Sequence, residues 1–87
     1  MSTDDRLSEA ARLFNIPATV LLRRGRSWQT CRARNAVMWA LRDAGWTTVA
    51  IAELFGRDHT TVLSNVAEAE RRATRDPAYA LTLAAMR

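Results

Sequence analysis

No lysine occurs in these 87 residues, and there is one cysteine, one histidine, two prolines and three glycines. Each scarcity excludes something. A lone Cys31 allows neither an internal disulfide nor a multi-thiolate metal site, and reads as a small helix residue in a reducing compartment. One histidine and no cluster of carboxylates leave nothing to hold a nucleophile or a metal. The pair Asp58-His59 is therefore not read as an acid–base couple, and no enzyme, cofactor or metal site is expected. The longest apolar run, Ala36 to Leu41, is far too short to cross a bilayer, and the polar, acidic start MSTDDRLSEA is unlike a signal peptide. The expectation is a soluble cytoplasmic protein with no membrane partner and no small-molecule substrate. Nowhere does strand-like alternation persist, which points to an all-α fold of five or six helices packed around the third.

What the chain has instead is arginine. All thirteen basic residues are arginine, and against nine acids they give a net charge of +4. Between Glu9 and Asp43 there is no acidic residue, while Arg12, Arg23, Arg24, Arg26, Arg32, Arg34 and Arg42 fall in that interval. Guanidinium groups suit phosphate because their planar donors pair with two oxygens at once, so an anionic partner is favoured.

A first helix is predicted from Asp4 or Asp5 to about Asn15, burying Leu7, Ala10, Ala11 and Phe14. Pro17 suits the first turn of a short second helix, PATVLLRR. The stretch RRGRS, residues 23–27, has no apolar residue and reads as an exposed basic loop, either a DNA contact or a solvated linker. A long third helix covers about Gln29 to Ala44, with Ala33, Val37, Ala40, Leu41 and Ala44 on one face and Arg32, Arg34, Asn35 and Arg42 outside it. Trp28 and Trp39 are read as core aromatics rather than as stacking surfaces for bases.

The stretch TVAIAELFGRDHTTVLSNV, residues 48–66, organises the rest. A helix with a candidate N-cap at Thr48 stops at Gly56, and a second opens at Asp58 with Val62, Leu63, Val66 and Ala69 as its apolar positions. A short helix, a glycine turn and a helix with a polar start make a helix-turn-helix, the arrangement that lays its second helix in a DNA major groove. That helix should run to about Arg75, where Asp76-Pro77 breaks it. The core is placed at about residues 5–75 of one domain. Residues 77–87 are left as a closing helix or a tail, with Ala78, Leu81 and Ala85 spaced for a helix.

The run GRDHTTVL, Gly56 to Leu63, resembles the signature of the C-terminal DNA-binding domain of DnaA, the bacterial replication initiator. Upstream likenesses are the basic loop, an R-x-x-x-M-x-x-x-R pattern (Arg34, Met38, Arg42) and I-x-x-x-F (Ile51, Phe55), covering about residues 5–75 in all. The resemblance implies a multi-helix fold of the DnaA C-terminal or Trp-repressor kind, acting as a stand-alone domain on double-stranded DNA that carries a TTATCCACA-like box. It makes Arg24 or Arg26 the minor-groove residue and Asp58, His59 and Thr60 the base readers. It makes Arg34, Arg42, Thr48, Arg57, Thr61 and Ser64 the phosphate contacts. A monomer on DNA, in replication control or transcription regulation, is the expected mode.

Elementary chemistry agrees. At the start of such a helix a carboxylate can accept from cytosine N4, an imidazole can donate to guanine or thymine, and a threonine methyl can pack on thymine's. An arginine is drawn into a narrow minor groove by its negative potential. Blander readings remain open: Asp58 as an N-cap only, His59 as a surface residue, Thr60 and Thr61 as a polar face. The chain departs from the family pattern at Ser64 and Asn65, where histidine and alanine are usual, and at Gly56, where two glycines are usual. It also has no G-x-x-x-x-G-K-[ST] loop, so no ATP-driven opening of an origin is expected of these residues. The competing function is a protein-interaction module that engages an initiator or polymerase without reading bases.

Overall fold

The computed structural model describes residues 3–22 and 27–86. Six helices follow one another: α1 Thr3–Phe14, α2 Ala18–Leu21, α3 Trp28–Asp43, α4 Thr48–Phe55, α5 His59–Arg75 and α6 Pro77–Ala85. No strand occurs among the described residues, as the absence of alternation implied.

Three of the helices end in the same way. After α1, α3 and α4 the chain takes one residue of left-handed backbone, Asn15 (φ 55°), Gly45 (φ 100°) and Gly56 (φ 62°). The next amide in each case reaches back five residues, from Ile16 to Ala11 O, Trp46 to Leu41 O and Arg57 to Ala52 O, at 3.0, 3.0 and 2.9 Å. This closure satisfies carbonyls that the helix leaves open, and it turns the chain sharply. Glycine and asparagine are the residues that enter this region at little cost.

The starts are capped by side chains. Ser27 Oγ accepts from Thr30 N, and Thr47 Oγ1 from Ala50 N, both hydroxyls reaching three residues on. The cap of α4 is therefore Thr47 and not Thr48, which is the helix's first residue. Pro17 stands just outside α2 as its N-cap rather than in the first turn.

α3 touches each of the other five helices, which explains why Ala33, Ala36 and Ala40 are all buried: small side chains let several neighbours approach at once. Leu7, Ala10, Leu21, Ile51, Phe55 and Val62 close around it. α6 completes the core from the far end. Its buried residues are Tyr79, Leu83 and Met86, whereas Leu81 is 73% exposed and Ala78 and Ala85 are exposed. The segment is a closing helix, but the spacing of Ala78, Leu81 and Ala85 marked its outer side. Asp76 joins α5 to α6: its Oδ1 accepts from Ala78 N and Tyr79 N, and its Oδ2 from Arg32 Nη2 at 3.4 Å. Tyr79 donates its hydroxyl to Arg32 O at 2.8 Å, and the Arg32 guanidinium lies over the Tyr79 and Trp28 rings at 5.5 and 5.3 Å. Trp28 is nevertheless 62% exposed, so of the two tryptophans read as core only Trp39 packs against it.

Candidate nucleic-acid interface

α4, the three residues Gly56-Arg57-Asp58 and α5 form the helix-turn-helix. Its second helix is capped by Asp58. The Asp58 Oδ1 accepts from Thr60 N at 2.8 Å and from the Thr60 hydroxyl at 2.7 Å. Those two bonds hold the Asp58 carboxyl below its ordinary value, with a smaller push from His59 in the same direction. The side chains of His59 and Asp58 are 57% and 66% exposed, and His59 Nδ1 lies 3.6 Å from Asp58 Oδ1. Thr60 and Ser64 are exposed and Thr61 is half-buried. The amino end of α5 thus presents a carboxylate, an imidazole and three hydroxyls, with Val62 and Ala69 holding the helix to the core.

Arg57, in the turn, is half-buried, and its Nε is buried without a hydrogen-bond partner among the described residues. Its positive charge also acts on Arg34. Arg34 itself departs from expectation. It is 3% exposed, inside the molecule rather than on the outer face of α3, and its Nε donates to Leu21 O at 2.9 Å. Burial lowers its pKa from the ordinary guanidinium value, and the nearby Arg57 lowers it further, while Cys31, a side-chain hydrogen-bond partner, opposes the shift. A guanidinium so enclosed cannot reach an external phosphate. It ties the end of α2 to α3.

Arg42 is exposed at the other end of α3, and its Nη1 donates to Trp46 O at 2.7 Å. Between it and α5 lies a groove of about 410 Å³, lined among others by Trp39, Leu63, Val66 and Glu70. Thr48 is half-buried at the start of α4. Arg24 and Arg26 lie outside the described residues. Their stems are Leu22, 39% exposed, and Ser27, the N-cap of α3.

Leu63, one of the apolar positions of α5, is 52% exposed. The period of α5 held the signal: Val62 and Ala69 suffice to define the buried direction, and Leu63 lies a third of a turn from Val62. No group of three His, Cys, Asp or Glu residues among the described residues could hold a metal ion. No described helix is long and apolar enough to cross a membrane.

The family profile described as the bacterial dnaA protein helix-turn-helix matches residues 7–68, that is 62 of the 87. The matched stretch runs from Leu7 in α1 into α5 and stops short of α6. No curated protein matches the chain.

Proposed function

The chain belongs to the bacterial DnaA helix-turn-helix family, which are DNA-binding domains, and we propose that it reads a specific duplex sequence with the amino end of α5. The observation that carries this reading is the outward display of His59, Thr60 and Ser64 beside the capping residue Asp58. Asp58 accepts from a cytosine amino group through the oxygen that Thr60 leaves open, His59 donates to a guanine or thymine acceptor, and Thr60 offers its methyl. Arg57, half-buried in the turn that precedes α5, adds a cation beside the reading end that suits a phosphate. Thr48, Thr61, Ser64 and Arg42 add donors on both sides of the groove, and Arg24 or Arg26 enters the minor groove, the double-stranded ligand being a DnaA-box-like site in an origin or promoter.

Gel-shift titrations of duplexes with and without a TTATCCACA site, at two salt concentrations, test the reading. Preference for the box by at least tenfold, lost in His59→Ala, is expected; equal weak binding to both duplexes rejects base reading and favours an interaction module.

A further inference from the structure

An exposed leucine on a helix otherwise lined outside by polar residues needs an account, because about half of Leu63 stays in water when α5 has a core face available. Leu63 follows His59 by four residues and Thr60 by three, so it stands about one turn, about 5.4 Å, further along on the same side. Ala67 continues that line, and Glu70, exposed, ends it with a carboxylate that phosphate repels. The apolar stretch on this side is therefore the exposed Leu63 and the half-buried Ala67, flanked by the base-reading end and, across the groove, by Arg42 and Asp43. In the major groove the apolar feature on base edges is the thymine 5-methyl group.

We propose that Leu63 is a further specificity residue that packs its exposed half against the 5-methyl of a thymine, one or two base pairs beyond those met by Asp58, His59 and Thr60. The inference rests on the proposed reading of duplex DNA by α5. It differs from that reading in assigning a base preference to a residue with no hydrogen-bonding group.

The probe is the tightest duplex recovered from a random pool by the whole chain, with each thymine replaced singly by deoxyuridine, which removes only the methyl. Wild-type protein is expected to lose about fourfold in affinity at a thymine one or two base pairs beyond any that meets Thr60, the fold-change that corresponds to about 0.8 kcal/mol for one buried methyl-sized group. Leu63→Ala should bind the thymine and uracil duplexes alike at that position, whereas Thr60→Ser should still distinguish them. Leu63→Met, which keeps the volume, should restore the discrimination and covers the case that alanine unfolds the helix. Wild-type indifference to every replacement overturns the proposal, as does a loss of discrimination in Thr60→Ser but not in Leu63→Ala. Recovery of no preferred sequence from the pool would instead reject the reading of duplex DNA itself.

Discussion

Asp58 carries two duties on one carboxylate: it caps α5 through Oδ1 and stands where a base would meet it. The two duties separate by substitution. Asp58→Asn keeps an acceptor for the Thr60 amide and should leave the urea unfolding midpoint close to that of the unaltered chain, while Asp58→Ala, which removes the cap, should lower it. If the carboxylate reads a cytosine amino group, asparagine should weaken binding to the preferred duplex about tenfold despite intact folding. Because the cap holds the Asp58 pKa down, its contribution is present above the ordinary carboxylate value and is lost as pH falls through the lowered one. Tyr79 behaves in the opposite sense. Burial pushes its hydroxyl up to about 12, so its neutral form stabilises the fold below the ordinary value of 10.0 and that stability is lost as pH rises toward 12. As Tyr79 is the only tyrosine, absorbance titration near 295 nm reads it directly; a midpoint close to 10 would mean that α6 is not seated on α3.

At the scale of elements, the turn between α4 and α5 depends on Gly56. A Cβ there would meet nothing within 4 Å, so substitution is opposed by backbone conformation alone. Gly56→Ala should cost about 1–2 kcal/mol, and Gly56→Asn less, by chemical denaturation. The two sides of α6 give a sharper contrast. Leu83→Ala, at a position 4% exposed, should cost about 2–4 kcal/mol, and Leu81→Ala should stay within about 0.5 kcal/mol of wild type. That contrast also marks where sequence reasoning stopped. Helix ends were legible because glycine, asparagine, aspartate and proline signal stops and starts by local backbone chemistry. The outer side of α6 was not, since PAYALTLAA contains no charged residue to mark the solvent face. The helix-turn-helix is legible down to Asp58 as the cap, whereas apolarity alone does not tell the exposed Leu63 from the buried Val62. Arg34 failed for the converse reason: a charge was read as a surface residue, whereas the carbonyl of Leu21 and the side chain of Cys31 receive it inside.

Across the whole molecule the net charge of +4 is unevenly engaged. On the outer part of α5, Arg71 makes two hydrogen bonds to Glu68, at 3.0 and 2.8 Å, and Arg75 a longer one at 3.4 Å. These arginines hold the Glu68 carboxyl below its ordinary value. Glu68→Gln should release both cations, tighten binding to any duplex at low salt and leave sequence preference unchanged, as paired titrations on preferred and scrambled duplexes would reveal. For the unaltered chain, about five phosphate contacts correspond to a fall of log affinity with log salt at a slope of about −4 to −5. A slope near −1 would place most arginines away from the duplex.

Trp28 stands at the stem of the basic segment with the Arg32 guanidinium over its ring and most of its surface in water, while Trp39 and Trp46 pack against the interior. The three indoles should therefore divide into one red-shifted, acrylamide-quenchable emitter and two shielded ones. Ligand capture near residues 23–26 would shade the first and leave the others unchanged, a built-in optical gauge that needs no added dye.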